Sequence, residues 1–149
     1  LRPAPLKGRA TEKFKKQFIF EIMAKLLENT RIYRDVTLMM TETLDFTKDF
    51  PKAYRYSVGQ QMQVLTMRMV NEIASAYITR NMEKKIAKLD DFQADFNTFK
   101  TFFRIASERR WMQGLGRRAS MIELMDAVGK QSTAWKNSLA SLKNNGESL

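Results

Sequence analysis

The chain has 149 residues, a length that suits a single domain, and 44% of them are hydrophobic, which is enough to build a core. Lys and Arg outnumber Asp and Glu by 26 to 16, so the formal net charge is +10. An excess of this size favours an acidic partner: nucleic acid first, then an anionic membrane or an acidic protein. A basic protein without a polyanionic partner is the alternative.

The sequence contains neither Cys nor His. Disulfides, Cys/His zinc sites and Ser-His nucleophile pairs are therefore excluded. Three neighbouring acids, Glu42, Asp45 and Asp49, have no matching carboxylate stripe elsewhere, and there is no Gly-rich phosphate loop. We therefore predict no catalytic residue, no metal and no cofactor, and we expect the protein not to be an enzyme. With no apolar run of 18 residues and no signal-peptide core near the start, we expect a cytoplasmic location.

Few helix breakers interrupt the chain, because there are only six Gly and three Pro. We predict helices over 11–28, 30–49, 57–82, 90–112 and 119–143. Thr11 begins the first helix, and capping patterns at Ser57, Asp90 and Ser120 begin the last three. The predicted stops are Phe50-Pro51, Gly114 with Gly116, and Asn144-Asn145-Gly146. Nothing between Glu28 and Arg31 forces a break, so a single long helix over the first two is an open alternative.

Apolar residues recur every three or four positions in three of these helices, which is the spacing of a helix face that packs against a core. The stripes are Val58, Met62, Leu65, Met69, Ile73 and Ala76; Phe92, Phe96, Phe99, Phe103 and Ala106; and Met121, Leu124, Val128, Trp135, Leu139 and Leu142. We predict an all-α fold, an up-down-up-down four-helix bundle with an additional N-terminal helical extension. Gly129, in mid-helix, should allow a close helix approach.

The predicted organisation along the chain has four parts. Residues 1–10 form a flexible basic N-terminus, 11–30 the helical extension, 31–143 the bundle and 144–149 a tail. The segment from Phe14 to Phe20 in the extension is basic and amphipathic, which is typical of a helix that packs on a partner protein or lies on a membrane surface. Of these two, we favour the partner protein.

Alternating helices place the first and third connections of the bundle at the same end, which we call the basic end. Its cations are Lys48, Lys52, Arg55, Arg109, Arg110, Arg117 and Arg118, and its acids are Asp45, Asp49 and Glu108. At the opposite end Arg80, Lys84, Lys85 and Lys88 are offset by Glu83, Asp90 and Asp91. Clustered cations bind phosphates, and the residues we select as the candidate binding site are Lys52, Arg55, Arg109, Arg110, Arg117 and Arg118. Trp111 lies beside them and either stacks on a base or packs in the core, the second being the commoner use.

Several short motifs carry a family resemblance. Ile32-Tyr33-Arg34-Asp35 is followed by Asp49-Phe50-Pro51-Lys52-Ala53-Tyr54-Arg55-Tyr56-Ser57-Val58-Gly59, and the last helix carries Val128-Gly129-Lys130-Gln131 and then Ala134-Trp135-Lys136. In order and spacing, these resemble the accessory variability determinant (Avd) of diversity-generating retroelements. That family lies in a wider four-helix-bundle group that includes proteins encoded in ribosomal RNA intervening sequences. The resemblance runs from about Arg31 to Lys143 and leaves residues 1–30 outside it.

The resemblance implies a bacterial or phage-encoded protein that assembles into a basic, barrel-shaped homopentamer. It also implies two partners, a reverse transcriptase and its template RNA, and a non-catalytic role in mutagenic cDNA synthesis, with no membrane partner. The six candidate cations would then contact RNA or the polymerase. A structural nucleic-acid-binding oligomer of the intervening-sequence type, without a polymerase partner, is the alternative function.

Overall fold

A computed structural model of the protein describes residues 3–147, with side chains described for residues 11–146. Five long helices account for most of it, and no strand occurs within the described residues. These are α1 (Pro3–Glu28), α2 (Arg31–Phe46), α3 (Gln60–Ile78), α4 (Met82–Glu108) and α5 (Leu115–Glu147). The predicted all-α class with an extra N-terminal helix is confirmed.

The chain divides into two compact units between Thr30 and Arg31. The first unit contains α1, which begins at Pro3 and not near Thr11 as predicted. Its end at Glu28 is followed by a short turn, in which the Thr30 hydroxyl donates a hydrogen bond to the carbonyl oxygen of Leu27 at 2.7 Å. Because this turn separates α1 from α2, the alternative of one continuous helix is wrong.

Most of the large apolar side chains of α1 are exposed to solvent. Their exposed fractions lie between 42% and 72%. They are Phe14, Phe18, Ile19, Phe20, Ile22 and Leu26. Exposed apolar side chains in this number usually mark a site of protein contact.

The second unit is a bundle in which each helix packs on two others: α2 on α3 and α5, and α4 on α3 and α5. Polar contacts between helices give their direction. The Arg68 guanidinium on α3 lies 3.0 Å from the Asp95 carboxylate on α4, and Lys143 on α5 lies 3.5 Å from Glu83 on α4. Lys136, seven residues before Lys143 on α5, pairs with Asp90, seven residues after Glu83 on α4, so these two helices are antiparallel. Only three residues join α3 to α4, so the chain reverses there too, as an up-down-up-down bundle requires.

The predicted apolar stripes form the bundle core. Met62, Ile73, Phe92, Phe99 and Val128 are all completely buried. Val58, Leu124 and Trp135 are half-buried, and Leu142 remains 57% exposed near the end of α5.

Gly129 lies where α5 packs against Phe96 of α4. A Cβ atom at this position would lie 3.3 Å from Cε2 of Phe96, tighter than an ordinary van der Waals contact. The predicted close approach of two helices at Gly129 is therefore confirmed.

Three predicted helix starts are wrong. Ser57 donates its hydroxyl to the carbonyl oxygen of Tyr54 at 3.4 Å and caps no free amide of α3. Asp90 and Ser120 lie inside helices, because α4 begins at Met82 and α5 at Leu115. A capping pattern is a local signal, and burial of an apolar stripe extends a helix through it.

Asn81 supplies the real start of α4, since its side-chain oxygen accepts a hydrogen bond from the backbone N–H of Lys84 at 3.0 Å. The stop at Phe50-Pro51 is confirmed, because Phe50 has an extended backbone ahead of Pro51. The predicted stop at Gly114 with Gly116 is wrong in part. The helix already ends at Glu108, Gly114 lies in the turn that follows with a φ of +86°, and Gly116 lies inside α5. The third stop is wrong, because α5 continues through Asn144-Asn145-Gly146 to Glu147. None of the helices within residues 3–147 has the length and hydrophobicity that a membrane span requires.

Candidate nucleic-acid interface

The first connection of the bundle, between α2 and α3, is helical over most of its length but changes type along the way. A 3-10 turn (Thr47–Asp49) leads into the extended pair Phe50-Pro51. A single α-helical turn (Lys52–Tyr54) and a π turn (Arg55–Gly59) then lead into α3. Pro51 forces the interruption, since it disfavours a helical backbone at Phe50.

The third connection, between α4 and α5, is short and tightly bent. Arg110 has a φ of +59° and Gly114 a φ of +86°, so the chain reverses through two left-handed residues. Between them Trp111 turns inward and is only 8% exposed. The backbone N–H of Trp111 donates to the carbonyl oxygen of Ala106 at 2.9 Å, which ties the turn to the end of α4.

The two connections meet through aromatic rings and one ion pair. The Tyr54 and Trp111 rings stack with centroids 4.5 Å apart and an 18° angle between their planes. The Phe50 ring lies 5.4 Å from that of Trp111, and the Arg117 guanidinium lies 3.5 Å from the Asp49 carboxylate. The first and third connections therefore share one end of the bundle, and Trp111 packs in the core, as favoured from the sequence.

The six candidate cations lie around this junction but differ in exposure and in the contacts that they make within the protein. Lys52, Arg109 and Arg110 are exposed and form no ion pair with the described residues. The Arg109 guanidinium lies 5.9 Å from the centre of the Trp111 ring, which is within cation-π range. These three cations can therefore bind a ligand without breaking an ion pair. The only internal side-chain contact among them that the described residues show is the weak one between Arg109 and Trp111.

The other three candidate cations make contacts within the protein. Arg55 donates a hydrogen bond to the carbonyl oxygen of Phe50 at 3.3 Å. Arg117 pairs with Asp49, and half-buried Arg118 lies 3.5 Å from the carbonyl oxygen of Ser107 near the end of α4. A lysine or arginine near the last carbonyls of a helix stabilises that helix end. Arg118 therefore has a structural role in addition to its charge.

Acidic residues neutralise part of the charge. Lys48 lies 3.7 Å from Asp45, and Arg104 on α4 lies 3.7 Å from Glu108. Both pairs are exposed, so each contributes little stability and can exchange its partner for a phosphate. The basic end keeps an excess of cations after all three acids are counted.

Sequence reasoning missed the two tyrosines of this end. Tyr54 is 39% exposed although it stacks on Trp111, and Tyr56 is 72% exposed. Both stand in the motif that carried the family resemblance, but nothing in helical periodicity marks them, because the π turn changes the direction of the side chains here.

A cavity of about 310 Å³ opens beside Tyr56. It is lined by Thr47, Lys48, Arg55, Tyr56, Gln60 and Gln63. The Gln63 amide nitrogen donates to the Thr47 hydroxyl at 2.8 Å, which fixes the orientation of that amide. The cavity therefore combines two cations, an aromatic ring and amide groups in one place.

The opposite end uses one of its cations internally. The Lys85 ammonium donates to the carbonyl oxygens of Ala76 at 2.6 Å and Tyr77 at 3.2 Å, so it caps the end of α3. Burial lowers the pKa of Lys85, because a desolvated ammonium loses its charge more readily. Only Arg80, Lys84 and Lys88 of the predicted group remain exposed here.

One charged group was not predicted at all. Glu72 on α3 and Asp95 on α4 are both buried, and Arg68 pairs with Asp95. Burial, together with the hydrogen bond to Asp95 and the charge of that residue, raises the pKa of Glu72 to about 8. Glu72 is therefore protonated at neutral pH, beside Asp95. No group of three or more acids that could hold a metal ion occurs within the described part of the chain.

Comparison with known proteins identifies the family. A search of curated proteins found no match. The model of the bAvd-like family matches residues 17–139 and so includes the second half of α1, which the resemblance described above left out. That match covers most of the chain and all four bundle helices except the end of α5. The protein belongs to the bAvd-like family, whose members are of the accessory variability determinant type.

Proposed function

We propose that the protein is a non-catalytic accessory factor of a diversity-generating retroelement, which binds template RNA and a reverse transcriptase and supports mutagenic cDNA synthesis. Family membership supports the accessory role. The observation that carries RNA binding is the meeting of the two connections at one end of the bundle, which brings seven cations near three acids. RNA phosphates would release counterions on binding there, which gives affinity that depends on salt and little on sequence.

Self-association into a ring of five belongs to the same proposal. The exposed apolar residues of α1 support contacts with other proteins or with further copies. Several copies of a +10 protomer would also strengthen the positive field that attracts RNA. Light scattering should give a mass of five times 17.4 kDa, about 87 kDa, and a monomer at micromolar concentration would contradict this part.

The RNA-binding experiment should change only cations that make no ion pair. Lys52→Gln, Arg109→Gln and Arg110→Asn remove three charges, and Asn tolerates the left-handed backbone at position 110. The matched control, Arg80→Gln with Lys84→Gln and Lys88→Gln, removes the same charge from exposed positions at the opposite end. At physiological salt, the first variant should bind RNA about tenfold or more weakly, while the control should stay within about twofold.

Equal losses in the two variants would contradict a localised RNA site, because overall charge would then explain binding. Melting curves by circular dichroism check that both variants fold. Co-purification of a reverse transcriptase with the tagged protein from its native host tests the second partner. Retention of RNA binding without any polymerase partner would favour the intervening-sequence type of oligomer over the retroelement factor.

A further inference from the structure

The motif between α2 and α3 contains three aromatic residues, and packing explains only two of them. Phe50 is completely buried, and Tyr54 stacks on Trp111. Tyr56 is neither buried in the core nor stacked on another ring of the described residues, and its side chain is 72% exposed. Exposed rings that contribute nothing to a core are typical of recognition surfaces.

The backbone that carries Tyr56 is held on both sides. On one side Arg55 donates to the carbonyl oxygen of Phe50 at 3.3 Å. On the other, a Cβ added at Gly59 would lie 3.4 Å from Cδ2 of Phe50, so the chain there lies close against that ring. The π turn between these two contacts is a rare conformation that is frequent at functional sites. Tyr56 therefore projects from an anchored segment.

The cavity beside this ring has the chemistry of a nucleotide site. Its volume, about 310 Å³, is at the small end of ligand pockets. Lys48 and Arg55 supply positive charge for a phosphate, and the Lys48 pair with Asp45 is long, at 3.7 Å. The amides of Gln60 and Gln63 offer donors and acceptors to the edge of a base.

We propose that Tyr56 is a stacking platform for one unpaired RNA base, with Lys48 and Arg55 holding the adjacent phosphate, so that the basic end prefers single-stranded to duplex RNA. This inference rests on the proposed RNA-binding function. The bases of an RNA duplex are already stacked and paired and cannot reach an exposed protein ring without being pulled out of the helix. A single strand offers its base faces directly, and aromatic side chains bind them with little dependence on sequence.

The test compares a short single-stranded oligouridine with a duplex of the same length at one salt concentration. The wild-type protein should bind the single strand more tightly. Tyr56→Ala should weaken that binding at least about fivefold and leave the duplex affinity unchanged. Tyr56→Phe keeps the ring and should resemble the wild type, as should Gln61→Ala, a change at an exposed neighbour outside the cavity.

A direct signal of stacking comes from an oligouridine that carries one 2-aminopurine. Its fluorescence should fall on binding to the wild type and to Tyr56→Phe, and fall less with Tyr56→Ala. A variant that merely disturbed folding would lose duplex binding as well. Equal affinity for the two RNAs with no effect of Tyr56→Ala would overturn the inference while RNA binding itself stands.

Two other outcomes would also overturn it. If Tyr56→Ala spares RNA binding but abolishes co-purification of the reverse transcriptase, the ring contacts protein. If the wild type binds neither RNA even in dilute buffer, the proposed function fails, and the stacking platform fails with it.

Discussion

The basic end and the opposite end of the bundle both carry clustered cations, but their surroundings differ. At the opposite end Glu83 and Asp90 pair with Lys143 and Lys136 of α5. Six cations therefore lie near three acids there, and the ammonium of Lys85 is hydrogen-bonded to the last carbonyls of α3. At the basic end seven cations face three acids, beside the exposed ring of Tyr56 and the Tyr54–Trp111 stack. A count of cations alone does not locate a binding surface. The cationic excess is similar at the two ends, and the opposite end has a ring of its own, Trp135, which is half-buried near Lys85. The exposed ring of Tyr56 is what distinguishes the basic end.

The largest expected effect comes from removing the ring that joins the two connections of the basic end. Trp111→Ala deletes a side chain that is only 8% exposed and should lower the free energy of unfolding by about 3 kcal/mol. The midpoint of thermal unfolding should fall by roughly 10 °C. RNA affinity should fall too, because Trp111 joins the two connections that carry the candidate cations. The half-buried Trp135 gives a matched control, and Trp135→Ala should cost less stability and leave RNA affinity unchanged.

The next effect is a pH dependence of the free energy of unfolding, which originates at Glu72, between the two ends of the bundle. The pKa of Glu72 is about 8 in the folded protein and near 4.5 when exposed. As the pH rises from about 4.5 to about 8, the unfolded chain releases this proton while the folded chain keeps it, so the free energy of unfolding falls. We expect a loss of roughly 2–4 kcal/mol over that range.

Urea unfolding at pH 5 and pH 8.5 measures that loss. Glu72→Gln should flatten it, whereas Asp126→Asn, at an exposed acid, should not. The same fall in both variants would show that Glu72 is not its source. RNA affinity should change little across this range, since the chain contains no His.

A smaller effect is expected at the opposite end. Lys85→Met keeps the apolar stem but removes the ammonium from the carbonyl oxygens of Ala76 and Tyr77. The free energy of unfolding should drop by about 1 kcal/mol, less than for a fully buried charged hydrogen bond. RNA affinity should stay within about twofold of the wild type. A large loss of RNA binding in this variant would remove the distinction between the two ends.

The smallest effect should come from an acid at the basic end. Asp49→Asn releases Arg117 from an exposed pair that contributes at most about 1 kcal/mol. RNA affinity should rise by about two- to fivefold, because the cationic excess increases. Filter binding at physiological salt measures this change. A decrease in affinity would mean that Asp49 positions Arg117 for RNA.

Much of the fold could be predicted from the sequence because its main signal is periodic. Residues such as Phe92, Phe96 and Phe99 recur on one helix face, and that face is buried. Helix ends depend on a few atoms each, which is why Asp90 was mistaken for a cap while Asn81 was overlooked. The alternating direction of the helices also predicted that the first and third connections share one end, and there Arg117 pairs with Asp49.

Part of the candidate site lay beyond sequence reasoning for a physical reason. The exposure of Tyr56 depends on the π turn, which helical periodicity does not indicate. The raised pKa of Glu72 likewise depends on two helices placing Glu72 and Asp95 side by side. Signals of this kind appear only once the bundle is assembled.

The most direct test of the central claim is to map RNA contacts by ultraviolet cross-linking of the protein bound to its template RNA, followed by mass spectrometry. We predict cross-links in residues 48–56 and 109–118, with Tyr56 among them, and few in residues 80–88. Cross-links concentrated in residues 80–88, or spread evenly over the charged surface, would contradict the account.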